Sequence, residues 1–166
     1  MQKIKKLNID NVILEASSHG LKQNRLNGLN FKTGIFTNLS HDHLDYHKSF
    51  KDYLKSKLLL FQNLLKKNSN VITDVNIPQY KNIKNIAKKK HQKIFTIGSK
   101  KSYLELTKHE YIDDKQLFKI KYKNKVYDIT VNLIGKIQIK NVLMAMIAAE
   151  KSNIKFEKII KSLNKI

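Results

Sequence analysis

The sequence predicts an α/β fold: a mostly parallel sheet flanked by helices, with a small antiparallel sheet near residues 102–133. Three observations carry this. Between residues 11 and 98, short apolar runs alternate with segments of helical period. After Gly98 the runs become β-rich and are separated by turn residues. The 166 residues suit one domain with a usable core, and no repeat or Pro/Gly/Ser linker divides them.

The elements follow in order. Asn11 to Ala16 reads as a short buried strand, a continuous apolar run ending in polar residues. A loop through Ser17-Ser18-His19-Gly20 leads to residues 21–30, with Gly28 as a turn point. Thr33 to Asn38 is the second strand, and a loop rich in His and Asp covers 39–48. Ser49 is a helix N-cap with Asp52 in the first turn, where negative charge suits the dipole. That helix should reach about Lys67, with Phe50, Tyr53, Leu54, Leu58, Phe61, Leu64 and Leu65 as its apolar stripe. Strands are expected at 70–74 and 93–98, with a helix between them that Pro78 opens. Strands at 103–107, 117–122 and 126–131 follow, the last two joined by a turn at Asn124-Lys125. Helices at 137–152 and 156–163 complete the chain.

Composition excludes several classes. No cysteine is present, so disulfides, thiolate zinc sites and a cysteine nucleophile are ruled out. No apolar run approaches the roughly 20 residues that span a bilayer, and the basic start is not followed by a signal-type apolar stretch. A cytoplasmic protein is expected. The net charge of +20 invites a nucleic-acid reading. However, the chain is dominated by Lys, Ile and Asn, whose codons are AT-rich, and it holds one Arg and no Trp. Specific readout favours Arg, and single-strand binding favours exposed aromatics. Nonspecific polyanion binding at low salt is expected, and a specific nucleic-acid partner is not.

Four features point to chemistry. Arg25 is the only cation spelled as Arg, and its planar fork grips carboxylate or phosphate as Lys cannot. Lys57 falls on the apolar stripe, where burial would favour the neutral amine that can capture carbon dioxide as a carbamate and so ligate a metal. The alternative is a lysine whose stem packs while its head reaches water. His41-Asp42-His43-Leu44-Asp45-Tyr46-His47 follows a strand and has metal-ligating residue types. A dinuclear zinc hydrolase of the metallo-β-lactamase kind is rejected, because Tyr46 stands where the last His of its compact run belongs. Glu15 ends a buried strand, and in open α/β sheets ligands sit off the carboxyl ends of strands.

These residues together spell a resemblance. Leu14-Glu15-Ala16-Ser17-Ser18-His19-Gly20-Leu21, with Gln23 and Arg25, resembles the E-x-S-S-H-G-L segment of Mur ligases of the MurE type. Phe36 to His47 is similar to their F-T-N-L-x-x-D-H-L-D-Y-H block. Tyr53 to Phe61 is similar to the helix bearing their carbamylated lysine, and Gly135 to Ala145 resembles the G-x-F-N-x-x-N-x-L-x-A segment of their ATP site. The resemblance covers nearly the whole chain and is weakest between about 75 and 132. It implies a P-loop NTPase-like, incomplete Mur ligase central domain over residues 1–166.

What the resemblance implies for the site follows residue by residue. Glu15 would ligate the Mg2+ that bridges the phosphates of ATP. His43 and carbamylated Lys57 would hold a second Mg2+. Ser17, Gln23 and Arg25 would bind UDP-MurNAc-dipeptide, and Gln138 and Asn141 the nucleotide. The implied reaction phosphorylates a substrate carboxylate to an acyl phosphate. The amine of a diamino acid, meso-diaminopimelate or lysine, then attacks to form an amide. The chain departs from the pattern at Gln138, where the family has Asn, at Ile137 for Phe, and at His41. No G-x-x-x-x-G-K-[S/T] loop precedes Glu15. The family's N-terminal UDP-binding domain and C-terminal domain have no counterpart either, and the missing ligase domains could act in trans; strands that would normally precede Asn11 are also lacking, so an exposed sheet edge is expected. The competing expectations are an inactive relic of the ligase and a basic nucleic-acid-binding protein on the same fold.

Overall fold

The computed structural model describes residues 9–40, 46–112 and 115–163. The elements are α1 (Ser18–Lys22), β1 (Phe31–Phe36), α2 (Phe50–Leu59) with a π turn (Leu60–Leu64), and β2 (Leu65–Asp74). Then come α3 (Tyr80–Lys89), β3 (Lys93–Gly98), β4 (Leu104–Ile112), β5 (Lys115–Tyr122), β6 (Lys125–Val131), α4 (Lys136–Lys151) and α5 (Phe156–Leu163).

The strands form one six-stranded sheet in the order β1-β2-β3-β4-β5-β6. β1, β2 and β3 are parallel, as the strand–helix alternation predicts. The antiparallel strands are not a separate small sheet. β4 pairs in parallel with β3 at Ile97↔Leu104 and Gly98↔Glu105, then antiparallel with β5, so the two regions are continuous. Apolar pattern marks strands but does not name their neighbours, which is why the sequence separates what the ladder joins. The β5–β6 turn is Lys123-Asn124, both at positive φ (45° and 64°), one residue earlier than expected. Two successive left-handed residues match the strand twist.

Two layers of helix bury the sheet's two faces. Phe36, Leu58, Phe61, Leu65, Val71 and Ile83 form one core beneath α2 and α3. Ile72, Ile97, Phe118, Ile120, Leu143 and Ile147 belong to the other, beneath α4 and α5. Val71 and Ile72 are adjacent, both 0% exposed, and serve opposite cores, as the alternation of side chains along a strand requires.

Three expectations need correction. Ser49 does cap α2, its hydroxyl accepting from Asp52 N at 3.2 Å. The helix nevertheless stops well before Lys67: the π turn passes directly into β2, which starts at Leu65 rather than residue 70. Pairing of Phe31 with Leu65 across an irregular register captures residues whose local pattern continues the helical stripe. Residues 11–16 are not a strand at all. They form no element and no hydrogen bond with another described residue, and Val12, Ile13 and Leu14 are exposed, Ile13 fully. An apolar run becomes a strand only with a ladder partner beside it, and none of the described residues supplies one.

Candidate functional site

The site lies at the β1 flank of the sheet. A groove of about 580 Å³ runs between the backbone of residues 11–16 and the outer edge of β1, lined also by Lys57, Phe61 and alanines of α4. Glu15 and Lys57 both line it. Glu15 is exposed and makes no hydrogen bond or ion pair with another described residue. Lys57 is half-buried: its Nζ donates to the Asn38 carbonyl at 3.2 Å and lies 5.1 Å from the Tyr53 ring centroid and 5.9 Å from that of Phe36. A carbonyl and two aromatic faces suit an ammonium. The stem therefore packs on the stripe while the head reaches the groove.

His43 lies outside the described residues. Among the described residues no group of three or more His, Asp or Glu forms a cage for a metal ion. Magnesium usually takes one or two carboxylates together with substrate phosphates and water. A single carboxylate at Glu15, without a partner among the described residues, fits that mode of binding.

Ser17, Gln23 and Arg25 sit together on α1 and the turn after it. Ser17 is the N-cap of α1, accepting from Gly20 N at 3.1 Å. Gln23 Nε2 donates to Tyr46 Oη at 3.1 Å. Arg25 is exposed and its guanidinium has no acid partner among the described residues. Gln138 and Asn141 stand in the first turns of α4, linked to each other at 3.4 Å. Helical spacing puts them on the stripe that continues through Ala145, Ala148 and Ala149 into the groove. The buried Gln116 fixes the entry to that helix. It donates to the carbonyls of Leu133 and Gly135, and accepts from His109 at 2.7 Å.

One constellation is not visible in the sequence. His47 is 1% exposed, its Nε2 lies 2.9 Å from Ser18 Oγ, and its Nδ1 lies 3.6 Å from Asp52 Oδ2. Asp52 also pairs with Lys22 at 2.6 Å, and Tyr53 stacks on the imidazole at 4.9 Å. Burial, partly offset by Asp52, lowers the His47 pKa below 6.5, and the bond to Lys22 lowers that of Asp52. The cluster ties α1 to α2, and so ties the segment holding Ser17, Gln23 and Arg25 to the helix holding Lys57. Ser18 is as buried as His47, so the arrangement is a tie rather than an exposed nucleophile. The histidine-rich spacing draws attention to a metal, whereas His47 is spent on packing. Only the loop's placement against α1 could have revealed that.

Comparison with known proteins identifies the family of the chain. A family model described as the Mur ligase middle domain matches residues 1–149. The chain is 35% identical over 164 residues to a UDP-N-acetylmuramoyl-L-alanyl-D-glutamate--2,6-diaminopimelate ligase of Rickettsia bellii (strain RML369-C), covering 99% of this chain and 34% of that protein. It is 30% identical over 158 residues to the ligase of the same name from Agrobacterium fabrum (strain C58 / ATCC 33970), covering 95% of this chain and 32% of the relative. A solved structure of a ligase of that name superposes with a TM-score of 0.82 at 28% identity, over 92% of this chain and 32% of that one. The chain thus spans about a third of the length of the relatives it matches.

Proposed function

The chain belongs to the Mur ligase middle-domain family, and on that premise we propose that it is the nucleotide-using part of an ATP-dependent amide ligase of peptidoglycan synthesis, working in the cytoplasm. The substrates are ATP, UDP-MurNAc-L-Ala-D-Glu and a diamino acid, meso-diaminopimelate, as the names of the relatives suggest. The observation that carries this reading is the convergence of Glu15 and Lys57 on one groove, which Ala145, Ala148 and Ala149 of α4 also line.

The roles are those that the resemblance implies for these residues. Arg25, exposed and without an acid partner among the described residues, grips an anionic group of the UDP-linked substrate, with Gln23 beside it. Ser17 contributes mainly by capping α1 and so holding the segment in place. Gln138 and Asn141 present amides to the nucleotide. Glu15 would hold one Mg2+ and His43 with Lys57 as its carbamate a second; when bound, these ions would neutralise phosphate oxygens and align donor with acceptor. Carbamate formation requires Lys57 to lose one proton to water. Its Nζ then adds to the carbon of carbon dioxide, and a second proton is lost. Among the described residues no helix is long and apolar enough to cross a membrane, which is compatible with cytoplasmic substrates.

Nucleotide binding tests the reading. Titration of the full chain with Mg-ATP, followed by NMR shifts of the Gln138 and Asn141 side-chain amides, should saturate. Gln138→Ala with Asn141→Ala should weaken binding by about tenfold, the loss of one or two hydrogen bonds. A chain that leaves those signals unmoved at millimolar Mg-ATP does not use nucleotide, and the ligase reading fails for it.

A further inference from the structure

The start of α4 is weakly specified by its own residues. Gly135 at the N-cap has φ 92° and offers no side-chain cap, and the first turn holds no acid. Lys136 and Lys140 put positive charge near the positive end of the helix dipole. Ile134 and Ile137 are exposed. Ile139 and Leu143, both wholly buried, hold the helix against the sheet. Apolar burial is non-directional, however, and does not by itself fix the rotation of the first turns.

Asp74 supplies a directional contact. It ends β2, is buried, and accepts from Asn76 N at 2.8 Å, while its second oxygen meets Lys140 Nζ at 2.6 Å. β3 closes over the carboxylate at Gly98, where φ is 125° and a Cβ would lie 2.9 Å from Asp74 Oδ1 and 2.7 Å from Asn76 Nδ2. A pair sheltered in this way is screened less than a surface pair and is costly to break. At about 100° per residue, Lys140 lies on the far side of α4 from Gln138 and Asn141. A grip on one side of a helix sets the direction in which the other side points.

We propose that Asp74 is a positioning residue for the nucleotide: through Lys140 it fixes the rotation of the first two turns of α4, and with it the aim of the Gln138 and Asn141 amides. The inference rests on the ligase reading, which assigns those amides to the nucleotide. Neither Asp74 nor Lys140 needs to touch the nucleotide for this.

The test titrates the full chain with Mg-ATP and with Mg-tripolyphosphate, which lacks the nucleoside. Asp74→Asn keeps the size of the side chain and removes its charge. It should weaken Mg-ATP binding about fivefold and leave Mg-tripolyphosphate binding within about twofold. It should also move the Gln138 and Asn141 side-chain amide signals before any nucleotide is added. Lys140→Gln should act alike, and the double variant should be no weaker than the worse single one, because both remove the same contact. Lys140→Arg keeps the pair and should bind Mg-ATP as the parent chain does. Glu150→Gln, at the other end of α4, controls for lost stability: it should lower the urea midpoint and leave both affinities unchanged. Unchanged or tighter Mg-ATP binding by Asp74→Asn, an equal loss for both ligands, additive losses in the double variant, or equal weakening by Glu150→Gln overturns the proposal. A parent chain that binds no Mg-ATP sinks the ligase reading and this inference together. A parent chain that binds it no better than Asp74→Asn does sinks this inference alone.

Discussion

At the β6 flank the outermost strand presents Lys125, Asp128 and Thr130 outward and buries Ile129 and Val131, with Tyr127 against Phe156 of α5. At the β1 flank the outermost strand borders an apolar groove, and the nearest extended segment shows three large apolar side chains to solvent. The β6 edge is blunted by charge and a covering helix, as solitary edges usually are. The β1 edge has the exposed Lys32 but borders an open groove instead of a covering helix. The difference follows from how far along the chain each flank draws its partners. β4, β5 and β6 are consecutive hairpin strands that close with short connections. At the β1 flank, no described residue pairs with the outer edge.

That contrast can be broken first in the completed half. Phe118 on β5 is almost wholly buried in the core beneath α4. Phe118→Ala should cost about 3–5 kcal/mol, read as a drop in the urea midpoint. A cost below about 1 kcal/mol would mean that this flank is as loosely packed as the other.

A smaller effect is expected at the polar lock on the same side. Tyr103 and Tyr122 donate to the two Glu150 oxygens at 3.1 and 3.2 Å, and Lys151 reaches Glu150 at 2.9 Å while lying 4.0 Å from the Phe95 ring centroid. Burial, then Tyr122 and Glu150, raises the Tyr103 phenol well above its usual 10, and the lysine and tyrosine contacts bring Glu150 below 4.5 despite its burial. Glu150→Gln should cost about 1–2 kcal/mol, since charge-assisted bonds become neutral ones. It should also move the ultraviolet titration of Tyr103 back toward 10. An unchanged titration would show that Glu150 does not govern the phenol.

The smallest predicted effect sharpens the comparison at the open flank. The folded His47 pKa lies below its unfolded value, so the unfolded chain binds more protons as pH falls below 6.5. Its contribution is fully present above about pH 6.5 and is lost progressively below, until the folded group also protonates. Urea midpoints measured between pH 7.5 and 5 should fall, and His47→Asn should flatten that slope. An equal slope in both proteins would assign the acid sensitivity elsewhere.

Much of this was legible in the residues, and the failures share one cause. β3 and α5 match expectation, and Ser49 caps α2, because apolar period and capping chemistry are local. Residues 11–16 carry the same apolar signal as a real strand, but ladder pairing is a long-range property. Leu65 belongs to the helical stripe by period and to β2 by its pairing with Phe31, 34 positions earlier. The site divides in the same way. Lys57 is conspicuous because a charge on an apolar stripe is locally odd. Ser18 and His47 meet across 29 positions, and nothing in the immediate neighbourhood of either residue announces it.

The two-sided burial of β2 carries a consequence for how the chain finds its alignment. In a strand with one wet face, a slip by one position turns oil to water and is rejected at once. Val71 and Ile72 remove that penalty, since either fits either side. Alignment is instead read by side chains that recognise a single carbonyl or hydroxyl. Ser69 Oγ donates to Phe31 O at 3.2 Å, Asn70 Nδ2 to Thr33 Oγ1 at 3.2 Å, and Thr73 Oγ1 to Phe36 O at 3.3 Å. Beyond them Asp74, 1% exposed, meets Lys140 of α4 at 2.6 Å. These groups work like the notches of a key. Each adds little to stability, but together they leave the central strand one admissible position against β1, so a strand built only of Val and Ile would pack as well and know its place less.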